Sequence, residues 1–260
     1  EIYRRKYKNR KDTHQIYKAF TDYKELLKIN IKKDAKYINR NEIKERVEKE
    51  LKDKDGKDIQ KEIEKETEKE IDKFLDKIQD HIMKKIYEHV FPKDPIPEDI
   101  EFYQKAKLLE WVTPEQLELK KSHTSQIGPA IFHMRKMDEV KSISEKMKCI
   151  EEAHNNINNI IKFSSGKNES AGADEVTPVF YYVVMKAQPR RVYSNINYIR
   201  CFTDQAKSSQ IAFLLTRFIS AVEFTMNLSH FNLKNITKEQ FQQNMDEAKK
   251  KMKEKQNKKK

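Results

Sequence analysis

Glycine is scarce in this chain, with four residues in 260, and extended runs that alternate apolar with polar residues are few. Both shortages argue against a sandwich or barrel, which need frequent turns and period-two patterning, and favour a mostly helical chain. There are only two cysteines, Cys149 and Cys201. Neither belongs to a C-x-x-C pair, so a disulfide framework or a zinc knuckle is not expected, and reduced, buried thiols are. The seven histidines are scattered, without H-E-x-x-H and without a Cys/His cluster, so no metal site is predicted. G-K occurs at Gly56-Lys57 and Gly166-Lys167, but neither lies in the G-x-x-x-x-G-K-[ST] phosphate loop. No G-x-S-x-G elbow appears. No run reaches the roughly 20 apolar residues of a membrane span, and the N-terminal E-I-Y-R-R-K shows no leader pattern. These absences point away from a hydrolase, kinase or metalloenzyme and toward a cytoplasmic protein that acts on another protein, with no cofactor.

Charge is what the chain has in abundance. Charged residues make up 37% and apolar residues another 37%, with a net charge of +12, so burial must be concentrated in a few segments. A basic balance suits an acidic partner, whether nucleic acid, an anionic membrane or an acidic protein face. It equally suits lysine-rich solvated helix faces, because basic residues cluster only at the two ends. The runs at 4–11 and 249–260 have little aromatic interleaving and no reading motif, so no nucleic acid is expected. The lysine-rich end from 245 to 260 reads as a disordered basic tail suited to peripheral contact with anionic lipid. Asn168-Glu169-Ser170 fits a glycosylation acceptor, which a reduced compartment makes incidental.

Helical spacing recurs along the chain. Ile16, Phe20, Tyr23, Leu26, Leu27 and Ile31 predict one amphipathic helix, and Ile43, Val47 and Leu51 a second, broken at Asp53-Lys54-Asp55-Gly56. Apolar positions from Ile59 to Phe91 predict a helix about 50 Å long, with a charged first half and a broad apolar face in the second. Pro92, Pro95 and Pro97 end it. Three more helical patterns follow between 98 and 160, one opening on Thr113-Pro114, with Trp111 as a core anchor. Phe163 to Gly172 and Asp204 to Gln210 read as loops. Ser194 to Ile199 reads as a capped short helix, and Ile211 to Leu228 as a strongly apolar one.

The longest apolar run follows Ala173-Asp174-Glu175-Val176-Thr177-Pro178 and closes at Pro189. Thr177-Pro178 reads as a helix start, although Val179 to Val184 also suits a buried strand. In either case one face is core, and Asp174 and Glu175 lie at its rim. Taken singly, these residues have ordinary explanations. Asp174 suits a helix cap, Pro178 a helix start, Thr216 a bond back to its own helix, Phe213 the core, Asn195 a cap and Tyr198 packing.

Several segments, in order, resemble the Vps-nine domain family of Rabex-like Rab nucleotide-exchange factors over about 74–228. They are W-V-T-P-E-Q-L at 111–117, E-K-M-K-C-I at 145–150, A-D-E-V-T-P at 173–178, Y-V-V-M-K-A-Q-P at 182–189, S-N-I-N-Y-I at 194–199 and L-T-R-F-I-S-A-V-E-F at 215–224. The resemblance implies an all-α layered domain over 98–244, preceded by an N-terminal helical bundle over 1–97. It also implies a groove for an endosomal-subfamily Rab GTPase, with peripheral location on endosomal membranes. Asp174 would supply the family's acidic finger, and Pro178, Phe213 and Thr216 would line the groove. Phe213 stands where the family has a functional tyrosine, and Ser209-Gln210 where it often has Gly-Glu. These departures leave open a Rab-binding scaffold without exchange activity, beside a membrane-tethering adaptor.

Overall fold

The structure, a computed structural model, describes residues 10–33, 38–51, 56–166, 172–203 and 209–257. Every regular element among them is helical, so the chain is all-α. It divides into two units, Glu1–Ile86 and Tyr87–Lys260.

In the first unit, α1 (Arg10–Lys33), α2 (Arg40–Glu50) and most of α3 (Gly56–Val90) meet through the predicted apolar stripes. Ile31 of α1, Ile38 before α2, Ile43 and Val47 of α2, and Ile71 and Leu75 of α3 form one buried cluster. Asn39 caps α2 by accepting a hydrogen bond from the Glu42 N–H at 3.2 Å. The outer face of α3 carries Glu62–Lys65, Glu66–Lys69 and Glu70–Lys73 pairs one turn apart, which solvent screening keeps weak. The break predicted at Asp53–Asp55 lies outside the described residues.

The second unit contains α4 (Pro97–Leu108), a 3-10 turn at Glu115–Leu117, α5 (Lys121–Thr124), α6 (Gly128–Lys136), α7 (Ile143–Ser165), α8 (Ala173–Ala187), α9 (Val192–Phe202), α10 (Ser209–Asn227), a 3-10 turn at His230–Asn232 and α11 (Lys238–Asn257). At its centre is α8, packed against α6, α7 and α10. Its apolar residues are Val176, Val179, Phe180, Val183, Val184 and Met185, each at most 1% exposed. Gross burial on this scale is on the order of 10 kcal/mol. The ambiguity between strand and helix is thus resolved as helix, because the run is enclosed on several sides and needs no period-two alternation.

Several boundaries differ from the sequence reading. Helix α7 continues to Ser165, where Gly166, at φ 63°, ends it in the left-handed conformation; residues 167–171, including Asn168, lie outside the described part. Helix α8 begins at Ala173, not at Thr177, which places Pro178 inside the helix. Helix α10 begins at Ser209. Thr113-Pro114 opens only the short 3-10 turn. The segment from 245, read as a disordered tail, is helical to Asn257. Met245 is buried, Phe241 meets Trp111 edge-on at 5.6 Å, and Gln242–Asp246 and Gln243–Glu247 bonds span successive turns. Local pairs and an apolar contact hold what composition alone marks as disordered.

Two polar clusters lock the helices of this unit. Asp99, fully buried, accepts from the Ile96 N–H at its own helix start and from the Tyr193 and Ser194 N–H groups at the start of α9. One carboxylate thus caps two helices. Beside it, the Arg191 guanidinium gathers the Pro92, Lys93 and Asp94 carbonyls and lies over Phe91. The second cluster surrounds Lys146 of α7, also fully buried. Its ammonium donates to the Met137 carbonyl at 3.0 Å and to Asn195 Oδ1 at 2.7 Å. Asn195 Nδ2 donates in turn to Asp138 at 2.9 Å. Phe91, Tyr87 and Tyr198 face the ammonium with ring centroids at 4.9, 5.3 and 5.9 Å. Asn195 is therefore an interior bridge of α9 and not its cap. Tyr198 packs, as expected.

Burial lowers the Lys146 pKa to about 8, opposed by the nearby Asp138 charge. The unfolded chain holds this proton up to about pH 10.5, so between the two values stability rises with pH. Unfolding free energy should increase by about 2 kcal/mol from pH 7.5 to 9.5 through this group, and Lys146→Met should remove that slope in urea titrations. Asn195→Ala, which strips a partner from both charges, should cost about 3 kcal/mol and lower Tm by about 10 °C.

Candidate functional site

The rim of α8 and the outer face of α10 carry the residues singled out in the sequence. Asp174 occupies the first turn of α8 and is exposed. Acidic side chains are favourable there because unpaired N–H groups and the helix dipole leave positive potential. Its neighbour Glu175 is engaged by Lys120 at 3.3 Å. Among the described residues, nothing bonds or pairs with the Asp174 carboxylate.

Pro178 is the sixth residue of α8. It has no N–H to give to the Asp174 carbonyl four residues earlier, and its ring crowds that position. Glu175 and Val176 N–H groups both reach back to the Gly172 carbonyl at 3.1 Å, so the first turn is closed from its N-terminal side. The proline is half-buried and leaves the turn bearing Asp174 with one helical bond fewer than usual.

On α10, Phe213 is 50% exposed and Thr216 is also exposed. They share a face with Phe224, whose ring lies 5.2 Å from Tyr181 of α8. Tyr181 is seven residues from Asp174 and three from Pro178, so these three share one side of α8. The Tyr181–Phe224 contact joins the two stripes at one point, with Asp174 about two turns back along α8. Gln210, in the first turn of α10, donates to Glu151 of α7 at 2.8 Å.

The sequence reading missed two residues here, His154 of α7 and Arg217 of α10. His154 lies edge-on to Phe213 and Phe180, at 6.1 and 6.4 Å. Its Nδ1 faces Arg217 Nη1 at 2.9 Å, and its Nε2 faces the Asn158 amide at 2.9 Å. Burial, then the Arg217 charge, push the imidazole pKa down to about 4. Arginine can only donate, so a neutral ring accepts its N–H at Nδ1; the proton left on Nε2 requires the Asn158 amide to turn its oxygen, not its nitrogen, toward the ring. Burial likewise lowers the Arg217 pKa. The available signal was an arginine inside the otherwise apolar run Phe213 to Val222, where an unpaired charge is seldom buried.

Among the described residues, no group of three or more acidic, histidine or cysteine side chains could hold an ion. No described helix is long and apolar enough to cross a membrane. Keeping His154 neutral has a measurable consequence. The unfolded chain protonates it below about pH 6.5 and the folded chain only near pH 4, so stability falls as pH falls through that window. After allowance for solvent screening of a partly buried ring, the loss should be about 1–2 kcal/mol. Subtracting the pH–stability curve of His154→Gln from that of the parent checks it.

Comparison with known proteins bears on this surface. Residues 127–230, from the start of α6 to the turn after α10, match the vacuolar sorting protein 9 (VPS9) domain. Vacuolar protein sorting-associated protein 9A of rice is 30% identical over 167 residues, covering 60% of this chain and 35% of that protein. The human Rab5 GDP/GTP exchange factor is 30% identical over 155 residues, covering 57% of this chain and 31% of that protein. Receptor-mediated endocytosis protein 6 of Caenorhabditis briggsae is 39% identical over 89 residues, covering 34% of this chain and 8% of that protein. The chain spans about a third or less of the length of these relatives. Residues 127–230 of this all-helical chain are a VPS9 domain.

Proposed function

We propose that this chain accelerates GDP release from a Rab GTPase of the endosomal subfamily, through the surface shared by α8 and α10. The observation that carries the reading is the Asp174 carboxylate, exposed and unpaired at the head of α8 while adjacent Glu175 is tied to Lys120. GDP is held on such a GTPase by phosphate contacts to the P-loop backbone and lysine, and by Mg²⁺. A carboxylate inserted beside that lysine gives it another charge-assisted partner and repels the β-phosphate. The nucleotide-free state gains relative to the bound state, and a few kcal/mol of such differential stabilisation speeds release by roughly a hundredfold or more. Pro178, Phe213 and Thr216 would form the apolar wall against which the GTPase switch regions pack. The working unit would lie within 98–244, with 1–97 as a preceding helical bundle, and the protein would act peripherally on endosomal membranes. Lys249, Lys250, Lys251 and Lys253, all exposed on α11, suit contact with anionic lipid.

A second reading, a Rab-binding scaffold without exchange activity, is favoured by one observation. Gln210 is held by Glu151 and Phe213 has no hydroxyl, so the face keeps its apolar contacts but has fewer polar ones.

Release of a fluorescent GDP analogue from a panel of Rab GTPases separates the two. The parent should accelerate release, and Asp174→Ala should remove about a hundredfold of that with Tm shifted by no more than about 2 °C, since the residue is exposed. Phe213→Tyr should be neutral or faster. A mutant at Asp174 as fast as the parent would disprove the finger, and binding without any acceleration would establish the scaffold.

A further inference from the structure

Arg217 is a charge without a countercharge in the surface just described. Only 9% of the residue is exposed, yet among the described residues no carboxylate pairs with it. Its partners are the neutral His154 ring at 2.9 Å and the Phe213 ring, whose centroid lies 4.5 Å from the guanidinium carbon. A guanidinium offers five N–H donors in a planar fork, and among the described residues a single bond to protein is formed. Among the described residues, none of its nitrogens is both sealed from solvent and unbonded, so a nitrogen without a protein partner keeps some contact with solvent. Phe213, one helical turn away and half exposed, is the covering group on that side.

This arrangement is preorganised and incomplete. The imidazole uses its acceptor nitrogen to fix the guanidinium plane, and the ring of Phe213 shields one face. What is missing is the planar anion that such a fork matches. Asp174, at the head of α8, is also without a partner among the described residues. The packed pair α8 and α10 therefore carries an unpaired carboxylate on one helix and an unpaired guanidinium on the other, beside apolar side chains.

We propose that Arg217 is a specificity-determining docking residue that receives an aspartate or glutamate side chain of the partner GTPase, an assignment that rests on the exchange reading. Contact with Phe213 brings the partner against the guanidinium, and the carboxylate completes the fork. Asp174 and Arg217 then divide the work. The first acts on the nucleotide site and sets the maximal rate, and the second sets which GTPase binds and how tightly.

The test uses the full chain, a GTPase that the parent activates, and initial release rates over a range of exchange-factor concentrations at two salt concentrations. Arg217→Met keeps the apolar stem and removes the charge. It should lower kcat/KM about thirtyfold through KM, leave the maximal rate within about twofold, and flatten the salt dependence. Arg217→Glu should be weaker still and be restored by changing one acidic surface residue of the GTPase to lysine. Asp174→Ala should show the opposite split, losing the maximal rate. Unchanged kcat/KM and salt dependence in Arg217→Met would overturn the docking role while leaving the exchange reading intact. Loss of folding in both Arg217→Met and Arg217→Gln would overturn it also, by making the guanidinium structural. A parent chain that neither binds nor activates any GTPase of the panel overturns both readings together.

Discussion

A buried ammonium is the constraint on which the rest of the second unit depends. Lys146 cannot remain charged in a helical core unless its donors are met, and the solution fixes three separate parts of the chain. The Met137 carbonyl pins the end of α6, Asn195 pins the middle of α9, and the aromatic box draws in Tyr87, Phe91 and Tyr198. Asn195 relays the charge to Asp138, which accepts from the Arg190 N–H as well. With α9 held in this way, α7 and α8 pack in one register, and the stripe bearing Asp174, Pro178 and Tyr181 faces outward. Apolar burial supplies most of the favourable free energy, but it is non-directional; the polar network selects one arrangement among many of similar area.

The working surface obeys the opposite rule. In the interior, Lys146 and Asp99 are each met by neighbouring groups. On α8 and α10, Asp174 and Arg217 have no countercharge among the described residues, while nearby groups, Glu175 with Lys120 and Gln210 with Glu151, are paired. Leaving the mostly buried Arg217 charge unmatched costs stability in the isolated chain, and the natural place to recover that cost is a complex. The neutral imidazole of His154 is consistent with this division, because it orders the guanidinium without neutralising it.

Much of this architecture was legible in the sequence. Scarce glycine, the absence of alternating runs and the three- and four-residue spacing gave helices, and the order of short segments gave the family. Boundaries were harder where local chemistry had two uses. Thr177-Pro178 reads as a helix start, yet the run continues one turn upstream, because burial of Val176 outweighs the bond lost at Pro178. The end of α11 reads as disordered by composition, yet it is held by side-chain pairs and by Phe241 against Trp111. Asn195 has the composition of a cap and instead serves as a bridge, since its bonding partners lie 49 and 57 residues away. The pairing of Arg217 with His154 was hidden for the same reason: it is a contact across 63 residues, which no periodicity encodes.

The carboxylate of Asp99 secures the entries of two helices that are about 95 residues apart in sequence. Few side chains concentrate so much long-range order in one acidic group located away from the exposed face. A mild change there, such as Asp99→Asn, would loosen both helix entries together on warming while leaving every surface group chemically intact. Position 99 is thus the natural place to build a conditional allele, one that switches the protein off and on with temperature in living cells.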